Sequence, residues 1–282
     1  VGTGVEWLGA IQGQFSLDWS AFGLLVGDTL SANGIELSAN YTYDEEYAVL
    51  SAGPLSFTRS PDTGRIVAAQ QGVVASTWSY NAYGELIGYE HSIDGEPAPF
   101  WSVTFTRDLL GRVVIRDESD VGGTRSWRYT YDAVGRLTDV EEAQDEIWVP
   151  QIEYTFDTRH NPLSSTPGDS TVDRIYDEAD RLVRHGDDVF TYNAAGQLET
   201  MTTEAGIHSY TYDLVGALRR VELPNGDLID YLIGPAGERL GKWFNGVFKE
   251  GFLYAHAIAP FGTLGTDRSL KARFISGWLD GI

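Results

Sequence analysis

One recurring unit constrains this chain more than any other feature. In Tyr129-Thr130-Tyr131-Asp132-Ala133-Val134-Gly135-Arg136-Leu137, two tyrosines stand two residues apart, so in an extended chain both point to one face. Asp132 to Gly135 then reads as a four-residue turn. Asp suits its first position because the carboxylate accepts backbone N–H bonds two residues on, and Gly at the fourth can take a positive φ that closes the turn with a bulge. Leu137 begins the return strand. A single such hairpin is marginal on its own and needs neighbours of its own kind.

The chain supplies them. Tyr80-Asn81 leads to Gly84, Asp108 to Gly111, Tyr192-Asn193 to Gly196 and Tyr212-Asp213 to Gly216, each followed two residues later by Leu or Val. Degraded copies keep the frame. Tyr154-Thr155-Phe156-Asp157 has His160 at the turn, Tyr176-Asp177 has Asp180, Tyr231 leads to Gly237, Tyr43-Asp44 meets Tyr47, and Phe57 reaches Gly64 with one extra residue. A spacing of about 20 residues suits two strands, one tight turn and one connecting turn. Longer spacings hold inserts such as Asp94-Gly95-Glu96-Pro97 and Glu141-Glu142-Ala143-Gln144-Asp145. A helical repeat is excluded by the missing 3.6-residue periodicity and the frequent Gly.

These copies resemble the YD-repeat, or Rhs-repeat, proteins: bacterial Rhs polymorphic toxins, the shell-forming B and C components of Tc toxins, wall-associated proteins and teneurins. The resemblance covers nearly all of residues 41–275. Gly251-Phe252-Leu253-Tyr254 through Arg273-Phe274-Ile275-Ser276-Gly277 is similar to the family's stretch near the end of the array. The resemblance implies an all-β fold of antiparallel β-hairpin repeats forming a curved or spiralling sheet strip, part of a shell or barrel-like tube. It also implies a bacterial protein, secreted or at the cell surface.

The expected organisation is an N-terminal cap or degraded repeats over 1–40, a repeat array over 41–240 and terminal hairpins over 241–282, with Asn245-Gly246 as a two-residue hairpin turn. Val5 to Ile11 is expected to form a short helix over the sheet edge. A chain that starts at Val1 without an initiator Met or signal peptide reads as a fragment. Twenty strands at about 4.8 Å make a strip of about 100 Å. Rolled once, that is a tube about 30 Å across, too small for an unfolded cargo of ~100 residues, whose radius of gyration alone is near 30 Å.

Composition narrows the partners. The formal charge of −21 argues against nucleic acid and anionic lipid. No run of 18 apolar residues suggests a membrane span. Cys is absent, which leaves export open, since a repeat sheet does not need disulfides.

No chemistry stands out. Asp132, Asp157, Asp177 and Asp213 read as turn caps rather than acid–base pairs. Asp117-Glu118 with Asp120, and Asp187-Asp188, lack the spacing of a calcium loop. The histidines form no ligand pair, and the reading is no cofactor, no metal and no catalytic residue. His160 stands for the turn Gly because His is among the residues enriched at positive φ. The aspartyl self-cleavage motif that many Rhs toxins carry after the repeats has no counterpart here beyond Asp280-Gly281. The turn aromatics read as a ladder of cross-strand partners. Trp101, Trp127 and Trp148 fall outside the turn frame and are the candidates for an exposed aromatic site.

The expected function is therefore a non-enzymatic scaffold, a shell segment that encapsulates or delivers a C-terminal toxin domain. Its partners would be the rest of a larger polypeptide or neighbouring repeats, with toxin cargo. The alternative is a cell-surface adhesion module that binds glycan or protein through those tryptophans.

Overall fold

The computed structural model describes residues 3–7, 11–145, 147–167, 171–254 and 259–274. Among them there is no helix; every regular element is a strand. In chain order these are β1 (Thr3–Trp7), β2 (Gly13–Trp19), β3 (Leu25–Ala32), β4 (Ile35–Tyr43), β5 (Val49–Ala52), β6 (Leu55–Arg59), β7 (Ile66–Gln71), β8 (Val74–Tyr80) and β9 (Leu86–Ile93). They continue as β10 (Trp101–Arg107), β11 (Val113–Asp120), β12 (Gly123–Tyr131), β13 (Leu137–Gln144), β14 (Ile147–Phe156), β15 (Pro162–Pro167), β16 (Val172–Tyr176) and β17 (Leu182–His185). The last are β18 (Asp188–Tyr192), β19 (Leu198–Thr203), β20 (Gly206–Tyr212), β21 (Leu218–Glu222), β22 (Leu228–Ile233), β23 (Arg239–Phe244), β24 (Val247–Leu253), β25 (Gly262–Leu264) and β26 (Leu270–Arg273).

The chain divides into two compact units: residues 1–54 with 188–282, and residues 55–187. In the second unit, β6 to β17 form an uninterrupted antiparallel meander in which each strand pairs with the next. The first unit holds β1 to β5 and β18 to β26, paired consecutively in the same way. Sequence-local pairing of this kind follows directly from hairpins repeated without a crossover.

Alternation gives the ribbon two unlike faces. In the aromatic-Thr-aromatic segments the aromatics are half-buried and the threonine between them is exposed. In three of the five segments that threonine meets another hydroxyl across the strand pair: Thr42 with Ser51 at 2.6 Å, Thr155 with Ser164 at 2.5 Å, Thr191 with Thr200 at 2.7 Å. Such pairs contribute roughly 0.2–1 kcal/mol each.

Val5 to Trp7 are not helical. They lie in β1, with Val5 opposite Phe15 and Trp7 opposite Gly13 on β2. Gly4 and β-branched Val5 are poor helix formers, and β2 offers an edge whose backbone groups need partners. Asn245-Gly246 joins β23 to β24 with φ of 48° and 76°, both positive as a two-residue type I′ turn requires. Leu8 to Ala10 of the expected helix, His256, Ile275 to Gly277 and Asp280-Gly281 lie outside the described residues.

The densest core lies in the first unit, where strands from the two ends of the chain pack together. Ile11, Phe15, Leu30 and Ala32 meet Phe248, Leu253, Phe261, Leu264 and Leu270, all buried. The Phe15 and Phe261 rings are 4.4 Å apart. Gly262 admits this approach, since a Cβ there would lie 2.5 Å from Leu30 Cδ2. Beside the core, Asp28 accepts hydrogen bonds from Arg273 and from the Tyr41 hydroxyl. The Asp28 and Arg273 side chains are only 1% and 8% exposed. Burial, then the bond to Asp28, pushes the Tyr41 hydroxyl pKa up.

Candidate functional site

Eight of the ten repeat turns are built from their sequence in the same way, the exceptions being those that start at Ser60 and Gly234. At Asp132 the backbone N–H donates to Arg136 O at 2.9 Å, and Gly135 N–H donates back to Asp132 O at 3.0 Å. Oδ1 accepts the N–H groups of Val134 and Arg136 at 3.0 and 2.9 Å. The same carboxylate or amide oxygen takes the second and fourth following N–H at Asp44, Asn81, Asp108, Asp157, Asp177, Asn193 and Asp213. Ser20 does the same with its hydroxyl in an additional turn closed by Gly23, inside the region where no repeat is evident in the sequence. Residues 47, 64, 84, 111, 135, 160, 180, 196, 216 and 237 all have positive φ, from 59° to 92°. A one-residue register shift immediately before the Asp or Asn accompanies the turn, as between Thr130 and Tyr131.

The residue after the turn Gly completes the motif, and its role is not evident from the Tyr-Asp spacing. After four of the six Asp caps a side-chain donor follows: Arg112, Arg136 and Arg181 place Nε 2.8, 2.6 and 2.7 Å from Oδ2, and Asn161 places Nδ2 at 3.1 Å, whereas Asp44 and Asp213 are followed by Ala48 and Ala217. Where the cap is Asn, an acceptor follows: Asn81 Nδ2 donates to Glu85 Oε2 at 2.7 Å and Asn193 Nδ2 to Gln197 Oε1 at 2.9 Å. The matching of the residue after the turn to the cap, Arg or Asn after Asp at 108, 132, 157 and 177 and Glu or Gln after Asn at 81 and 193, is the signal in the sequence. The Arg112 guanidinium holds the Asp108 carboxyl below the usual carboxylate range, and the Arg181 guanidinium does so for Asp177. For Asp132 the largest cause is the Arg136 N–H.

Turns are also tied to one another. The Tyr131 hydroxyl crosses to the preceding hairpin and donates to Val113 O at 2.7 Å; Tyr43 reaches Leu25 O at 2.7 Å and Tyr80 reaches Ile66 O at 3.2 Å. At the equivalent place Arg107 replaces the tyrosine and donates to Leu86 O through Nε and Nη2. Arg112 lies over the Tyr131 ring at 4.6 Å and Arg136 over Phe156 at 4.6 Å. Burial raises the pKa of Tyr131, as it does at Tyr43, Tyr176, Tyr210 and Tyr212. The arrangement is a stitched edge whose polar groups are turned on the backbone and on one another.

The three tryptophans outside the turn frame are half-buried and do not come together. Trp101 stacks on His91 at 5.5 Å and donates to Glu118 Oε1 at 3.0 Å. Trp127 lies between Arg116 and Arg125, at 4.9 and 5.3 Å. Both are on the aromatic face, because Val103 pairs with Glu118, Glu118 with Arg125 and Arg116 with Trp127. Trp148 is on the other face with Arg128 and Glu141. The cause is a bulge at Gln151: Val140 pairs with Ile152 but Glu141 with Pro150, which inverts the alternation of β14. Glu118 is taken up by Trp101, Arg116 and Arg125. Among the described residues, no group of three or more His, Cys, Asp or Glu could hold a metal ion, and no helix is long and apolar enough to cross a membrane.

Comparison with known proteins agrees with this geometry. The family model described as Teneurin YD-shell matches residues 16–257. Over 170 residues the sequence is 31% identical to Teneurin-4 of Homo sapiens, a match that covers 53% of this chain and 6% of that protein. Teneurin-4 of Mus musculus matches at the same identity and coverage. The chain thus corresponds to a small part of these relatives. Among solved structures, a chain of the Photorhabdus luminescens Tc holotoxin pore superimposes with a TM-score of 0.57 at 13% identity, covering 86% of this chain and 16% of that one. That likeness is one of fold.

Proposed function

This chain belongs to the teneurin YD-shell family, and from that premise we propose that it is a non-enzymatic wall segment of a larger extracellular shell, one that encloses and delivers a toxin domain carried on the same polypeptide. One observation carries the reading: the recurring chemistry of the repeats is spent on closing each hairpin turn and tying it to the hairpin before it. The Asp or Asn cap, the residue after Gly and the tyrosine hydroxyl each satisfy backbone or one another. A ribbon built this way has two unlike faces and a continuous rim, the properties of a wall. The Photorhabdus luminescens chain of like fold belongs to a Tc holotoxin pore, which gives the enclosed-toxin reading its direction. The charge of −21 suits a basic cargo.

Limited proteolysis of the full-length product tests this. A downstream domain that is enclosed stays intact while native, and is digested after the shell is opened by denaturant. Digestion at the same rate as the excised domain would refute enclosure.

A further inference from the structure

The turns that knit the second unit together also carry a surface their own chemistry does not require. In a meander, every second connection lies on the same edge, so the turns β6–β7, β8–β9, β10–β11, β12–β13, β14–β15 and β16–β17 form one rim. Adjacent turns on it are about 10 Å apart, two strand spacings. Their tips follow an order. The first carries Asp62; the next three carry Tyr83, then Leu109 with Leu110, then Val134; the fifth carries Arg159, and the sixth, at the far end, carries Glu178 with Ala179. The apolar tips are among the most exposed large side chains of the protein, at 88% for Tyr83, 105% for Leu109, 78% for Leu110 and 66% for Val134. Nothing in the turn needs them, because the Asp or Asn cap and the Gly close it whatever stands between.

We infer that this rim is a self-association surface and that its occupant is the same rim of a second copy of this chain, related by a two-fold axis at Leu109 and Leu110. Three features argue for a second copy. First, over the five turns from β6–β7 to β14–β15 the order acidic, apolar, apolar, apolar, basic is self-complementary under two-fold rotation: the axis passes through the central Leu-Leu turn, Tyr83 meets the other copy's Val134, and Asp62 meets its Arg159. Arg159 remains half-exposed although it also pairs with Asp180. Second, the three central turns are nearly neutral in a chain of −21. Asp108 and Asp132 are paired with Arg112 and Arg136, which leaves Glu85 as their single uncompensated charge. Like-charge repulsion between copies is therefore weakest there. Third, the four apolar side chains offer on the order of 500 Å² per copy, so a pair of rims buries about 1,000 Å², the lower bound for a specific interface. That area fits a weak, concentration-dependent dimer. The inference concerns assembly and does not depend on any cargo.

Sedimentation velocity on the whole chain from about 1 to 200 μM reads the association, with the dimer expected to form at some tens of micromolar. Leu109→Ser with Leu110→Ser is expected to weaken it at least about tenfold, while Leu214→Ser with Val215→Ser, an equally exposed tip pair in the other unit, leaves it unchanged. Asp62→Arg alone and Arg159→Asp alone each weaken it, and the two together restore it, an outcome a general loss of folding cannot give. Because the chain has no Cys, Leu110→Cys provides one unique thiol, expected to cross-link two copies through the axis under oxidation, whereas Ala194→Cys does not. A monomer throughout the range, or a dimer indifferent to the Leu109 and Leu110 changes, would overturn the inference. So would binding of the rim to phosphatidylcholine vesicles in place of self-association, which would assign it to a lipid surface.

Discussion

Gly135→Ala isolates the conformational demand of the repeat turn. Gly135 has φ of 89°, and a Cβ built there has Arg112 Nη1 as its one neighbour, at an ordinary 3.9 Å. The substitution therefore adds no clash and tests backbone conformation alone. Placing an L-residue in the left-handed region costs roughly 1–2 kcal/mol. The less flexible unfolded chain returns roughly 0.4–1 kcal/mol of that. A net loss of about 1 kcal/mol in the unit spanning Leu55–Asp187 corresponds to a Tm lower by about 3–5 °C. Asn tolerates the left-handed region, so Gly135→Asn is expected to cost less than half as much. Gly84→Ala is expected to cost more than Gly135→Ala, because its Cβ would lie 1.7 Å from Arg65 Nη1 and displace the guanidinium from its place 5.5 Å from the Tyr80 ring. Differential scanning calorimetry together with urea midpoints gives the order Gly84→Ala, Gly135→Ala, Gly135→Asn from worst to mildest. An unchanged Tm for Gly135→Ala, or an Asn variant as unstable as the Ala variant, would refute the reasoning.

Three further outcomes follow from the same geometry. Tyr131→Phe removes the 2.7 Å bond to Val113 O between successive hairpins and is expected to cost about 0.5–1.5 kcal/mol by chemical denaturation, with no change in strand content by circular dichroism. Removing either partner of the buried Asp28–Arg273 pair, as in Asp28→Asn or Arg273→Met, strands the other and is expected to cost about 3–5 kcal/mol, whereas Asp28→Leu combined with Arg273→Met recovers most of it. Asp108, Asp132, Asp177 and Glu141 have folded pKa values below their unfolded ones, so their contribution is fully present above the unfolded carboxyl range of about pH 4 and is lost as pH falls through the depressed folded values. Thermal melts between pH 3 and 7 check this, and Asp132→Asn with Arg136→Gln, which copies the Asn193–Gln197 pair, is expected to flatten the acid limb.

The turns were legible because their demands are local. A cap that accepts two N–H groups and a residue that tolerates positive φ leave a readable four-residue trace, even where His160 or Asp180 stands for Gly. The turn at Ser20 was not, since Ser caps less recognisably than Asp and the preceding aromatic is Trp19, outside the Tyr-Asp pair. The position of Trp148 was not legible either: one extra residue at Gln151 inverts every alternation argument beyond it, and a bulge has no fixed sequence mark. Least legible was the packing of Phe15 and Asp28 against Phe261 and Arg273, which joins residues more than 240 apart and answers to no periodicity. In the described part of the expected helix, Val5 to Trp7, the strand prevails for a related reason, because the partner edge on β2 decided its state.

Cross-strand nuclear Overhauser contacts in the deuterated, selectively protonated chain test the central claim most directly. Tyr129 with Val140, Trp127 with Glu142, Arg116 with Trp127 and Phe105 with Arg116 are opposed in successive strand pairs. An unbroken series linking each strand to the next in these registers is the expected result. Contacts that join strands distant in sequence within residues 55–187, or registers displaced by one residue, would contradict the ribbon and everything derived from it.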